Sequence, residues 1–300
     1  MSTLVPILAG LIPSFGLVVL GGLVRRMLTE AAWIGVDRLN FNILFPALLF
    51  VSAAARPIAV EDALRIGPAV WAILGAGLVL GWFARSAGPE RFLDFAGTWQ
   101  LAWRFNTAIA FVAVGVMPGG DVGIMAVAVG MAVPMANLLA VSALSRGGSL
   151  GPLETVRRIL LNPYLLSSAG GVAVGLSGLT VPALVMAPLD MLAQAAIPVA
   201  LLSVGATMRW SALGRLDRFT GVLNATKLLA LPALVWGLSR LIGAEGALVS
   251  HLIVFAAIPT SSGAHVLASA FGADRVPVAT IIAQSTLIGA VTLPLWIALA

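Results

Sequence analysis

Two short stretches gather the residues able to handle a charged solute in an otherwise apolar chain: Ile258-Pro259-Thr260-Ser261-Ser262-Gly263-Ala264-His265, and Arg104-Phe105-Asn106-Thr107. Each lies near the middle of an apolar run, where an ordinary spanning helix would avoid a proline, a cluster of hydroxyls, a histidine or an arginine. Non-helical backbone at membrane depth persists only where it is buried in protein or lines a wet cavity. A break of this kind also creates a half-helix N-terminus, with unpaired N–H groups and roughly half a unit of positive charge that favour an anion. Two such breaks facing one cavity suit a carboxylate.

Substrate contact is expected from Asn106, Thr107, Pro259, Thr260 and Ser261, with a weaker expectation for Ser262. The competing structural readings are polar bonding between helices for Asn106 and Thr107, and a plain proline kink for the second stretch. Arg104 and Lys227 are cations inside spans, which makes each a functional candidate, although either could snorkel to the interface along its own stem. His265 titrates in a useful range and is a candidate for proton coupling, but a hydrogen-bonded structural role is the simpler reading. Gln194, Asn137 and Gln284 are expected to bond between helices. Asp37 and Asp190 are expected near the starts of their spans, complementing the helix dipole. Gly77 to Gly81 and Gly171 to Gly175 have the spacing that lets helices pack closely.

Hydrophobic residues make up 60% of the 300 residues and charged residues 10%, more apolar surface than a soluble domain needs. The apolar runs approach twenty residues, about the length that crosses roughly 30 Å of hydrocarbon. Ten spans are expected, over residues 4–27, 32–54, 64–84, 98–117, 122–144, 160–178, 183–207, 219–240, 246–270 and 276–299. The first run is too long for a signal-peptide core and lacks a basic leader, so it is expected to remain as a span. Twelve arginines fall in connections on one side (Arg25, Arg26, Arg38, Arg85, Arg91, Arg146, Arg157, Arg158, Arg209, Arg215, Arg218, Arg275) and three on the other (Arg56, Arg65, Arg240), which by the positive-inside rule places both termini outside. The net charge of +5 is spread singly or in pairs between spans and carries no signal for nucleic acid.

A shift of 153 residues lays Asp37 on Asp190, Leu39 on Leu192, Ala47 to Leu49 on Ala200 to Leu202, Val51 on Val204 and Ala53 on Ala206. Without adjustment it also lays Gly119 on Gly272, Asp121 on Asp274 and Ala126 on Ala279. The chain thus reads as two five-span halves, residues 1–147 and 154–300, joined through a linker carrying Gly147, Gly148, Gly151 and Pro152. Five is odd, so the second half enters the membrane the other way up, the inverted-repeat plan of secondary transporters. The same shift places Asn106 on Pro259 and Thr107 on Thr260, so the two breaks are repeat partners that meet near the midplane.

These segments resemble the auxin efflux carrier family. Leu39-Asn40-Phe41-Asn42-Ile43-Leu44-Phe45-Pro46-Ala47-Leu48-Leu49-Phe50 is similar to its second-span signature. Leu189 through Ala206, Ile258-Pro259-Thr260 running on to His265-Val266-Leu267-Ala268, Ser285-Thr286-Leu287 and Thr292-Leu293-Pro294-Leu295-Trp296 are similar to later family segments. The resemblance implies a prokaryotic-type member with ten helices, of which the fourth and ninth are broken and crossed. It further implies a scaffold of spans 1, 2, 6 and 7 that dimerises, a transport domain of spans 3–5 and 8–10, and an elevator motion. Family substrates are organic anions, indole-acetate in plants and malonate or malate in some bacteria. Two positions depart from the pattern: the fourth span reads Ala108-Ile109-Ala110-Phe111 where many members place a proline, and Gly263 stands where many have a polar residue.

The expected protein is an all-α polytopic transporter of the plasma membrane, with the lipid bilayer, a small organic anion and a second copy of itself as its partners. Enzyme readings find little support: Ser262 and His265 have no accompanying carboxylate or oxyanion element, and metalloprotease, Walker and dinucleotide fingerprints are absent. With no cysteine in the chain, thiolate metal sites and disulfides are excluded, and no cofactor is expected. The alternative is a sodium- or proton-coupled symporter or antiporter of the same fold. Such carriers usually hold their ion with carboxylates at the breaks, and neither break contains one. A non-transporting membrane sensor is the third reading.

Overall fold

The computed structural model describes residues 4–54, 60–146, 153, 157, 160–207, 210–214 and 216–300. The linker glycines and Pro152, together with Arg56, Arg158, Arg209 and Arg215, lie outside the described residues. Every regular element among those described is helical. In chain order the helices are α1 (Leu4–Val24), α2 (Glu30–Leu39), α3 (Phe45–Ala54), α4 (Val60–Trp82), α5 (Phe92–Trp99), α6 (Thr107–Val116), α7 (Val122–Arg146), α8 (Pro163–Ser177), α9 (Ala183–Thr207), α10 (Arg218–Ala225), α11 (Leu231–Leu241), α12 (Ala247–Ala257), α13 (Gly263–Phe271) and α14 (Arg275–Leu299). Wide turns with i→i+5 geometry at Asn40–Leu44 and Thr226–Ala230 join α2 to α3 and α10 to α11 without ending the helical course.

By length and composition, six stretches among the described residues can each cross a membrane: Glu30–Ser52, Leu64–Ala87, Val122–Arg146, Ala183–Thr207, Arg218–Leu241 and Arg275–Leu299. Large apolar side chains on their outer faces are open, Leu184 by 89% and Leu241 by 82%, as suits contact with lipid rather than water. The expected span boundaries fall within a few residues of the helix ends except at the fourth. There α5 begins at Phe92, because Leu93, Phe95 and Ala96 bury against neighbouring helices and extend the apolar face upstream.

Local chemistry repeats at the shift of 153. Asp121 Oδ1 accepts the Gly123 and Ile124 N–H groups ahead of α7, and Asp274 Oδ1 accepts the Val276 N–H ahead of α14, so the matched aspartates cap matched helices. Asp37 and Asp190 behave otherwise. Both sit in the eighth position of their helices, too far from the first turn to complement a dipole, and Asp37 is fully buried in an ion pair while Asp190 is half-buried.

Small residues set the closest approaches. α1 packs on α9, and α3 lies against both α8 and α9. A Cβ on Gly21 would strike the Leu202 carbonyl, and one on Gly205 would strike the Val18 carbonyl, so α1 and α9 meet backbone to backbone. Gly77 and Gly81 do the same for α4: a Cβ on either would crowd Ala102 and the tryptophan beside it, as the glycine spacing predicts. Around that contact Trp99 packs edge-on to Trp82 at 5.0 Å and to Trp103 at 5.2 Å and stacks on Phe95 at 5.5 Å. This aromatic block fixes α5 and the turn that follows it.

Replacing Gly205 with alanine therefore separates α1 from α9 and costs about 1–3 kcal/mol, the range for overpacking. Gly237→Ala, at a position of α11 with open space around it, is neutral or gains up to about 1 kcal/mol from helix propensity. Thermal unfolding in detergent distinguishes the two.

Candidate functional site

α5 stops at Trp99, a single tight turn covers Gln100–Ala102, and the backbone stays irregular through Asn106 before α6 starts. No proline is needed for this break. Asn106 Oδ1 accepts the Ile109 N–H at 3.2 Å, so the asparagine caps α6 and supplies what a proline would otherwise impose. In the second break the residue ahead of Pro259, Ile258, is held extended at φ −63° and ψ 132°, as a following proline requires, and α12 ends one residue earlier.

The two breaks are hydrogen-bonded to each other. Asn106 N–H donates to the Pro259 carbonyl at 2.8 Å, Phe105 packs on Phe255 at 4.8 Å, and Gln100 Nε2 donates to the Ala264 carbonyl at 3.2 Å. α14 braces the crossing from behind: Ser285 Oγ accepts the Thr260 N–H at 3.1 Å, and Gly289 leaves room for the Pro259 ring, which a Cβ there would strike. The Asn106 and Thr260 N–H groups and the Pro259 and Ala264 carbonyls thus have partners, as burial in an apolar medium demands.

In front of the crossing is a cavity of about 230 Å³. Its polar wall comes from Arg104, Asn106, Thr107, Asn137, Ser261 and Ser262, and its apolar wall from Phe45, Leu48 and Leu49 of α3 with Ile197 of α9. Arg104 is buried and does not snorkel; its guanidinium donates to Asn137 Oδ1 at 2.8 Å. The Asn137 amide nitrogen, buried in the same wall, has no protein acceptor. The lining holds a fixed cation and the N-terminal ends of α6 and α13, and among the described residues it has no aspartate or glutamate. Gly263 has a steric reason: a Cβ there would come within 2.9 Å of Phe45 Cε1, so a side chain at this position would have to displace that ring.

The sequence candidates separate into three groups. Arg104, Asn106, Thr107, Ser261 and the more weakly expected Ser262 come together on the cavity wall, whereas Pro259 and Thr260 form the crossing behind it. Lys227 lies apart: its Nζ is buried and donates to the Ala256 carbonyl at 3.0 Å, tying off the C-terminal end of α12. His265 lies in the first turn of α13, with Nε2 3.3 Å from Ser203 Oγ and 3.5 Å from Asp37 Oδ2. Gln284 bonds to Asn224 across helices at 3.2 Å, while Gln194 is exposed on α9. Sequence reasoning missed the α3 wall and Gln100. The first carried a signal in the Asn40 to Phe50 segment; the second carried none beyond being a glutamine inside an apolar run.

An all-helical chain with several membrane-crossing stretches and a cationic cavity at two crossed helix breaks is a membrane transporter. The comparisons agree. A family model described as "Membrane transport protein" matches residues 153–297. The chain is 25% identical over 297 residues to a protein of Rhizobium meliloti (strain 1021) described as "Putative malonate transporter", covering 94% of this chain and 92% of that one. It is 28% identical over 271 residues to an "Uncharacterized transporter" of Methanothermobacter thermautotrophicus (strain ATCC 29096 / DSM 1053 / JCM 10044 / NBRC 100330 / Delta H), covering 87% of each. By these matches the chain is similar to membrane transporters, the family model covering its second half and the two relatives most of its length.

Ser285→Ala leaves the Thr260 N–H unpaired at the crossing, a loss of about 1–3 kcal/mol for a buried donor. Ser285→Thr, which keeps the acceptor, retains most of the stability. Thermal unfolding of the two variants side by side checks this.

Proposed function

We propose that the protein is a secondary transporter of a small organic anion, with the carboxylate held in the cavity between the two breaks. The observation that carries the reading is the wall itself: a buried guanidinium, the capped start of α6, the start of α13, and the unpartnered Asn137 amide nitrogen converge on one space with no carboxylate among the described residues. Asn106, Thr107 and Ser261 supply hydrogen bonds and Arg104 the charge, with Thr260 and Pro259 shaping the backbone from behind. Lys227 contributes by holding the end of α12. The cavity, of about 230 Å³, has room for a small carboxylate. The "malonate" in the name of the R. meliloti relative points to the same class.

The ten-span inverted repeat is the architecture this reading uses, supported by the matched breaks and the matched aspartate caps. α1 to α3 with α8 and α9 form the scaffold, through which two copies pair. α4 to α7 and α10 to α14 form the body that carries the anion by an elevator motion between the faces of a plasma membrane, with both termini outside. No carboxylate lines the cavity among the described residues, which favours anion movement without a sodium ion bound beside it.

In sealed vesicles of purified protein, labelled malonate should accumulate saturably. Asn106→Ala and Arg104→Gln should each lower the uptake rate by a factor of about ten to a hundred, the loss of one or two charge-assisted hydrogen bonds. Unaltered uptake by both folded variants would remove the cavity assignment.

A further inference from the structure

Asp37, the residue whose expected role at a helix start does not hold, is the centre of a buried polar cluster drawn from four helices. Ser203 Oγ of α9 donates to its Oδ1 at 2.6 Å, Arg275 Nη1 of α14 donates to its Oδ2 at 3.0 Å, and His265 Nε2 of α13 lies 3.5 Å from the same oxygen. Arg275 also reaches Glu30 at 3.7 Å. Asp37, Ser203 and His265 are sealed from solvent, and Asn40, nearly one turn beyond Asp37 on the same side, donates to the Ala196 carbonyl of α9 at 3.1 Å.

Outside the cluster is a second and larger cavity, of about 760 Å³, with Arg25, Arg26, Arg38, Arg275 and Glu30 in its wall. Asp274 is a second carboxylate in this wall, so four arginines face Glu30 and Asp274; among the described residues Arg25, Arg26 and Arg38 have no carboxylate within ion-pair reach, and Glu30 is engaged with Arg275, so the vestibule still presents net positive charge to whatever enters it.

Three separate elements run from the vestibule to the central cavity, and each meets the cluster on the way. Along α2 and α3, Trp33 and Ile34 line the vestibule, Asp37 is in the cluster, and Phe45 lines the central cavity. Along α9 the order is Thr207, Ser203, Ile197, and along α13 it is Ser269, His265, Ser262. On each of these elements the cluster residue therefore lies between the two spaces. We propose that it is the closed gate of an anion-access path: the arginine vestibule collects a small carboxylate from one face of the membrane, and separation of Asp37 from Arg275 and His265 admits it to the central cavity. Asp37 and Ser203 stay with the scaffold while His265 and Arg275 leave with the moving body, so the contacts that seal the path are the ones a relative displacement breaks. Asp37, Ser203 and Arg275 are positioning residues in this scheme. The proposal rests on the reading of the central cavity as the anion site.

The chain has no cysteine, so single cysteines report without background. Ser52→Cys reports on the central cavity, whose wall Ser52 shares, and Thr207→Cys on the vestibule. The probe is 2-sulfonatoethyl methanethiosulfonate, an anionic, membrane-impermeant thiol reagent, added at the arginine-rich face of oriented vesicles. The Thr207 reporter reacts in every background. The Ser52 reporter is shielded from that face in the parent, reacts about tenfold faster or more in Asp37→Asn and Arg275→Gln, stays near the parent in Arg275→Lys, and falls between in Ser203→Ala. Ser203→Ala keeps the Asp37 to Arg275 ion pair and carries the test if the charge-removing variants do not fold. Equal Ser52 labelling in the parent and every folded variant, with the Thr207 reporter reactive throughout, overturns the gate. Malonate protection of the opened Ser52 reporter is read separately: a gate that opens without protection leaves the gate standing and removes the anion reading.

Discussion

One hydrogen bond organises the centre of this molecule: the Asn106 N–H to the Pro259 carbonyl, at 2.8 Å. A backbone group freed from a helix inside an apolar medium costs several kcal/mol unless it finds a partner. Here each break supplies a partner for the other, so neither can be unwound alone. The remaining obligations are met locally, by the Asn106 side chain at the start of α6, by Ser285 against Thr260, by Gln100 against Ala264 and by Lys227 against Ala256. Satisfying these groups on the far side of the crossing leaves its near side open as a cavity whose electrostatics are set by Arg104 and two helix starts.

The breaks were legible in the sequence because they violate a strong rule. An unbroken spanning helix has no use for a proline, a run of hydroxyls or an asparagine at its middle, and the shift of 153 residues links the two stretches that carry them. The matched pair Asp121 and Asp274 was legible in the same way, and both turn out to cap helices. The absence of a proline after Asn106 gave no hint that the fourth span would break as fully as the ninth, since a side-chain cap leaves a weaker mark in sequence than a ring does.

Burial and partnership were the illegible part. Lys227 and Arg104 are both cations inside apolar runs, and nothing in the sequence separates the one that lines the cavity from the one that ties off α12. Asp37 looked like an ordinary helix-start carboxylate because its partners, Ser203, His265 and Arg275, are more than 160 residues away and come from three other helices. The repeat even misled at that point: Asp190 matches Asp37 in register, yet it is half-buried and outside the cluster.

The crossing creates a cationic pocket, α3 and α9 supply its apolar wall, and the Asp37 cluster lies between that pocket and an arginine-lined mouth. The most direct test of the central claim is equilibrium binding of labelled malonate to the purified protein. The account predicts saturable binding at one site per chain that is lost in Asn106→Ala and retained in Gly237→Ala. Binding that survives Asn106→Ala and Arg104→Gln undiminished would contradict it.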